Sequence, residues 1–262
     1  MVPWISSSTV LIFGESTLAN ALEKRFSRGR ARVIRAGKNP GLWHLDMARD
    51  PSCWRVPSAP SWVFVCAGIT SRERCESQPH TTRWVNVAGG IRLARHFSRQ
   101  GTRMVFFGTD LEPEEGDYAR QKEDLRAAVA GLPGVFWIRL GKVVHPGLPV
   151  LLGWREQVDA GVVEAWKDVL IQPVTPEAVA GACAALLETR EFLPKEMDWN
   201  VAPPMTYAEF ASRWARSTGR AGSVKIRELP APRKNRQLPP GTCPDLFRRL
   251  LTREDHGAWW SQ

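Results

Sequence analysis

Tyr118 and Lys122 stand four residues apart at the start of a helical pattern, Tyr118-Ala-Arg-Gln-Lys122, nine residues beyond Thr109. In a helix this spacing puts a phenol and an ammonium on one face, where the cation can lower the phenol's pKa. Such a pair can pass a proton to a carbonyl oxygen. The chain has two tyrosines and eight lysines among 262 residues, so the pairing is uncommon by chance. On these two residues alone, an exposed Tyr and Lys on a solvated helix is the competing reading.

The elements that must position the pair follow from the hydrophobic pattern. Short β-branched runs alternate with longer helical patterns over the first 140 residues, as in βαβ units and a parallel sheet. Strands are expected at Thr9–Phe13, Ala31–Arg35, near Leu45, at Trp62–Cys66, Arg103–Phe107 and Val135–Arg139. Helices are expected at 16–26, at 81–100 with Trp84, Val87, Ile91, Ala94 and Phe97 on one stripe, and around Tyr118 and Lys122. The fold class is therefore α/β, a Rossmann-like doubly wound parallel sheet over residues 1–140. Residues 141–262 read as a smaller α+β portion on the substrate side, packed on the core, with no linker to separate it. In it a helix opens at the N-cap Thr175 and runs to about 189. A strand at 198–202, a helix at 206–218 closed by Gly219, and a strand at 225–229 follow.

A glycine directly after the first strand is where such a fold holds a pyrophosphate on backbone N–H groups. The segment is Gly14-Glu-Ser-Thr-Leu-Ala-Asn20, so Gly14, Ser16, Thr17 and Leu18 are the candidate dinucleotide-binding residues. Thr17 and Asn20 stand where a reductase loop repeats glycine, and Glu15 adds a negative charge beside an anion. An ordinary strand-to-helix turn accounts for these residues equally well. At the end of the second strand, Arg35 and Lys38 replace the acidic residue that binds the ribose of NAD, which favours NADP. Solvated loop cations are the alternative there.

Composition narrows the class. Five scattered cysteines, without paired spacing or neighbouring histidines, suggest neither a metal site nor a disulfide frame. No apolar run reaches the ~20 residues of a membrane helix and the N-terminus lacks a secretory pattern, so a soluble cytoplasmic protein without a membrane partner is expected. The net charge is +9, and residues 213–262 carry eleven Lys/Arg against four Asp/Glu. This excess suits an anionic partner, but no nucleic-acid-binding motif accompanies it, so a phosphorylated small molecule is expected and nucleic acid is not. The twelve tryptophans show no repeat and read as packing. The Trp259-Trp260 pair could mark a contact surface, with a second copy of the chain as the candidate partner.

Taken in order, several segments resemble the extended short-chain dehydrogenase/reductase superfamily, and within it the dTDP-4-dehydrorhamnose reductase and nucleotide-sugar epimerase group. They are Leu11–Gly14, His44–Asp46, Val63–Gly68, Val85–Gly89, Val105–Asp110, Tyr118–Lys122, Arg139–Val143, Gln172–Pro176, Trp199–Ala202 and Pro232–Asn235. The resemblance implies that Tyr118 protonates a sugar carbonyl during hydride transfer and that Lys122 tunes it and holds the nicotinamide ribose. It implies that Thr109 binds the same carbonyl and that Asn86 completes a proton relay. It also places Ala67 and Gly68 against the cofactor, Asp46 near the adenine, and Arg233 against the substrate diphosphate.

Two departures stand beside it. One is the glycine loop. The other is the short acidic stretch from Thr109 to Tyr118, whose Glu112, Glu114, Glu115 and Asp117 would repel a nucleotide diphosphate if they faced it. The expected activity is an NADP-dependent reductase or epimerase of a nucleotide-linked or modified sugar. The alternative is a degenerate relative with weakened or lost cofactor binding, serving as a binding or scaffold protein or as a cofactor-independent acid–base enzyme.

Overall fold

Strand β1, Thr9–Phe13, is buried from Val10 to Phe13, as a strand covered on both faces must be. It sits inside a seven-stranded sheet whose pairings are all parallel. The computed structural model describes residues 8–29, 31–56, 60–189, 193–200, 202–220, 224–230, 247 and 251. Arg233 and the Trp259-Trp260 pair lie outside the described residues.

After β1 come α1 (Thr17–Phe26), β2 (Arg32–Gly37), β3 (Trp43–His44), β4 (Trp62–Val65), α2 (Arg72–Ser77) and α3 (Pro79–Arg83). A π-helical segment, Trp84–Gly89, then leads into α4 (Gly90–Ser98), β5 (Arg103–Thr109), α5 (Asp117–Val129) and β6 (Val135–Leu140). The rest of the chain forms β7 (Lys142–Val143), α6 (Pro149–Val158), β8 (Val162–Trp166), β9 (Leu170–Ile171), β10 (Pro173–Val174) and α7 (Pro176–Glu188). Among the described residues there follow β11 (Glu196–Asp198), β12 (Met205–Thr206), α8 (Tyr207–Ser217) and β13 (Lys225–Leu229).

The order across the main sheet is β11-β6-β5-β4-β1-β2-β3. Strand order reverses between β1 and β4, and in open α/β sheets the crevice at the carboxyl ends of such strands is where ligands bind. The doubly wound Rossmann-like sheet is thus present as expected. Its core is built from Leu11, Phe13, Val63 and Val65 on the central strands, with Leu93, Ala94 and Phe97 of α4 and Leu125 and Val129 of α5.

Two compact units are distinguished, residues 1–140 with 180–198, and residues 141–179 with 199–262. The strand expected at 198–202 is β11 at 196–198, overlapping that range only at Asp198, and it extends the main sheet by pairing Met197 with Ile138. The second unit has its own core, in which Trp154 meets Tyr207, Phe210 and Trp214. Its β13 pairs with β8, and α8 starts at Thr206, whose hydroxyl accepts from Glu209 N while the Glu209 carboxylate accepts from Thr206 N.

The helix expected over 81–100 is not regular. The π segment inserts an extra residue per turn around Asn86, and the rotated register leaves Trp84 54 % exposed while burying Asn86 and Val87. Trp84 is therefore not part of the buried stripe. Its ring lies under the Arg92 guanidinium at 4.3 Å, and its indole N–H donates to Ala48 O. Gly89 and Gly90 follow for a steric reason. A Cβ at Gly89 would come within 2.6 Å of Met47 O, and one at Gly90 within 2.8 Å of Leu125. Among the described residues no helix is long and apolar enough to cross a membrane.

Candidate active site

Helix α5 carries both Tyr118 and Lys122, and the chain enters it through Gly116 at φ +133°, a backbone state that glycine adopts without a Cβ penalty. Lys122 Nζ donates to Phe107 O of β5 at 2.9 Å and lies 5.8 Å from the centre of the Tyr118 ring. Burial strips the ammonium of water and brings the Lys122 pKa down to about 8, which the nearby Cys66 and Cys75 partly oppose. The Tyr118 hydroxyl is likewise shielded, and burial first, then Cys75 and Asp110, push it well above the usual phenol range despite Arg72. In this state the phenol is held protonated by desolvation, and Lys122 does not pull it down.

Thr109 ends β5, and its hydroxyl oxygen accepts from Leu111 N at 3.3 Å. A hydroxyl accepting one bond keeps its own proton to donate. The acidic stretch that follows is tied by local bonds, with Glu112 and Glu114 exposed. Glu115 accepts from Glu112 N, and Asp117 pairs with Arg120 at 2.6 Å.

Asn86 is held at both ends of its amide. Its Oδ1 accepts from Ile69 N at 2.8 Å, and its Nδ2 donates to Ile69 O and to Gln121 Oε1, each at 2.9 Å. Gln121 in turn donates to Thr82 Oγ1, whose hydroxyl donates to Gln78 O. Gln121 is 3 % exposed and was not among the expected site residues. The signal was there, because a helix that buries Leu125 also turns the residue at 121 inward, and a polar side chain on that face needs partners. Nothing local in the sequence forecast the π turn that brings Asn86 to it.

At the other end of the crevice Gly14 has φ +120°, and a Cβ there would lie 2.7 Å from both Cys66 C and Ala67 N. The strand-to-helix turn therefore packs directly on the turn leaving β4. Ser16 caps α1 by accepting from Ala19 N, so the N-terminal amides around Thr17 and Leu18 open the helix as an anion-binding terminus does. Leu18 is buried, and the Thr17 and Asn20 side chains are exposed. Gly68, at φ +149°, leaves a gap of 3.3 Å from its Cβ position to Asn86 Oδ1.

Residues 66–69 thus join the two ends: Cys66 and Ala67 pack on Gly14, Gly68 and Ile69 are gripped by Asn86, and Gln121 ties Asn86 to the helix of Lys122. The Cys66 thiol is pushed up to about 12 by burial, and Arg35 and Lys122 are both near enough to draw it back.

Arg35 is not a solvated loop cation. Its side chain is 12 % exposed and donates to Gly14 O at 2.8 Å, Asn20 Oδ1 at 3.2 Å and Glu23 Oε2 at 2.5 Å. Lys38 pairs with Asp46 at 3.0 Å, and Asp46 accepts from Ala48 N. Burial alone would raise the Asp46 carboxyl, but the Ala48 N–H and Lys38 hold it below the usual range.

Residues 15–129 match the model of the NAD-dependent epimerase/dehydratase family. No curated protein sequence matches the chain. Among solved structures, a dTDP-4-dehydrorhamnose reductase ortholog of Clostridium acetobutylicum is similar over 96 % of this chain and 95 % of its own, with a TM-score of 0.75 and 18 % identity. The dTDP-4-dehydrorhamnose reductase of Bacillus anthracis in complex with NADP gives 0.74 over 88 % of each chain at 15 % identity. UDP-glucose 4-epimerase of Thermus thermophilus in complex with NAD gives 0.70 over 96 % of each chain at 17 % identity. Residues 15–129 are thus similar in sequence to the NAD-dependent epimerase/dehydratase family, and the chain shares its fold with these reductases and epimerases.

Proposed function

We propose that the protein is a nicotinamide-dinucleotide-dependent enzyme acting on a nucleotide-linked sugar, as a reductase or as an epimerase working through a transient ketone. The observation that carries this reading is the continuity of the crevice. Gly14, Cys66–Ile69, Asn86, Gln121 and Lys122 form one chain of contacts at the carboxyl ends of β1, β4 and β5. The residues present fit a dinucleotide pyrophosphate. Gly14 is as close to its neighbour as backbone allows, and α1 opens beside it. The neighbours described with NADP and with NAD support the same class of cofactor.

A bound nicotinamide would donate or accept the hydride. Tyr118, kept protonated by burial, would give its proton to the sugar oxygen as that hydride arrives, and Thr109 would donate a second hydrogen bond to the same oxygen. Lys122, anchored on Phe107 O, would hold ribose hydroxyls of the dinucleotide. Asn86 has its amide committed to Ile69 and Gln121, so its role is to fix the β4 turn. The relay role expected for it would need those bonds to be exchanged. Among the acidic loop residues, Glu115 and Asp117 are bonded within the loop and helix, which relieves the repulsion expected for a diphosphate. The phosphorylated dinucleotide expected from Arg35 and Lys38 loses the support of both cations, because Arg35 is bonded on three sides and Lys38 is paired with Asp46.

Titration with NADH and NADPH, followed by quenching of tryptophan fluorescence, tests the cofactor class. Saturable binding is expected, and the absence of binding at millimolar concentrations would leave the scaffold or cofactor-free readings. Turnover is then sought with dTDP- or UDP-linked 4-keto sugars.

A further inference from the structure

We propose that Glu15 is the specificity-determining residue of the dinucleotide end and that it selects against a 2′-phosphate, so that the chain takes NAD(H) in preference to NADP(H). This deepens the dinucleotide reading and rests on it. By sequence the end of β2 is Ala36-Gly37-Lys38, with no acidic residue to accept from ribose hydroxyls. The fold supplies one from elsewhere. The Glu15 side chain, from the glycine turn, reaches across to the end of β2, where its Oε1 lies 2.6 Å from the position a Cβ would take at Gly37. Its other carboxylate oxygen accepts from the Asn39 amide. Gly37 is therefore the residue that makes room for this carboxylate, since any side chain there would meet Glu15 and Leu42 together.

The surrounding charges point the same way. Arg35 is paired with Glu23 and Lys38 with Asp46, each cation matched by an acid, while Glu15 is bonded to a neutral amide. Asp46 is also faced by Arg49, so Glu15 is the carboxylate of this edge whose bonded partner is uncharged. A vicinal diol donates hydrogen bonds to a carboxylate, whereas a phosphate monoester carrying nearly two negative charges is repelled by it. The two cations that favour NADP in the sequence are thus committed, and the acidic residue that disfavours it is contributed by the loop.

The test is a pair of dissociation constants, for NADH and NADPH, measured by calorimetry on the wild-type protein and on Glu15→Gln. Glu15 is exposed, so the variant keeps its fold, and an unchanged melting temperature checks this. NADH is expected to bind at least roughly tenfold more tightly than NADPH in the wild type. Glu15→Gln is expected to gain about tenfold for NADPH while losing a few-fold for NADH, as one fewer like charge and one weaker acceptor require. Lys38→Ala is expected to leave the ratio within about twofold, because the lysine is matched by Asp46. Tighter NADPH binding by the wild type, an unchanged ratio in Glu15→Gln, or collapse of NADPH binding in Lys38→Ala would overturn the proposal while leaving the dinucleotide reading intact. Failure of the wild type and Glu15→Gln to bind either dinucleotide would overturn both.

Discussion

The two ends of the crevice are built in opposite ways. Around Tyr118 and Lys122 the polar groups are shielded and chained, from Ile69 through Asn86 and Gln121 to Thr82, with Lys122 fixed on a strand carbonyl. Around Gly14 the groups are part-exposed ion pairs, Arg35 with Glu23 and Lys38 with Asp46, with Glu15 reaching between the elements. Proton transfer needs atoms held within a few tenths of an ångström and free of competing water, which a buried network provides. Selecting a cofactor by its charge needs fields that a single substitution can reverse, and exposed pairs provide those. The first end should therefore be intolerant of change and the second adjustable.

The largest effect that would break this contrast is at Tyr118. Tyr118→Phe is expected to lower turnover by roughly 10²–10⁴-fold with dinucleotide affinity unchanged, the usual span for removing a positioned acid. Equal loss of affinity would mean that the phenol is part of the binding surface instead. Gly14→Ala comes next, since its Cβ would meet the Cys66–Ala67 backbone at 2.7 Å with φ at +120°. A loss of about 1–3 kcal/mol in denaturant unfolding, with dinucleotide binding abolished, is expected from strain of that kind. Gln121→Leu sharpens the comparison from the buried side. It leaves Asn86 Nδ2 short of one partner, and a cost of about 1–3 kcal/mol for an unsatisfied buried group is expected. By contrast Lys38→Ala, at the exposed end, should cost less than about 1 kcal/mol.

A further effect is a pH slope. The folded-state pKa of Lys122 is lowered to about 8 from an ordinary 10.5, so across that window the unfolded chain holds a proton that the folded one has lost. Its contribution to stability is therefore flat below about pH 8 and rises with pH above it. Tyr118 and Cys66, pushed upward, act in the opposite direction at alkaline pH, so the quantity to measure is the stability difference between wild type and Lys122→Met. That difference should shift in favour of the wild type as pH rises from 8 to 10, and a pH-independent difference would count against a buried amine.

Much of this was legible in the chain itself. The strands β1, β4, β5 and β6 announce themselves as apolar runs, and Thr175 as a cap, because these depend on local pattern. The spacing of Tyr118 and Lys122 predicts a helix, and both residues lie on α5. What stayed hidden arises through space. The π turn at Trp84–Gly89 comes from packing of Gly89 on Met47 and Gly90 on Leu125, residues 42 and 35 positions away. Arg35 looks free in sequence and becomes a clamp on Gly14, Asn20 and Glu23 only when β2 lies beside β1. The reach of Glu15 to Gly37 has the same origin.

The central claim, that Tyr118 passes a proton while a dinucleotide held from Gly14 to Lys122 exchanges hydride with a sugar, is tested most directly by isotope transfer. A nicotinamide dinucleotide deuterated at C4 is incubated with a nucleotide-linked 4-keto sugar and the product analysed by mass spectrometry. Deuterium in the sugar with the wild-type protein, and its near-complete loss with Tyr118→Phe at saturating cofactor, is the predicted result. Transfer undiminished in Tyr118→Phe would contradict the account.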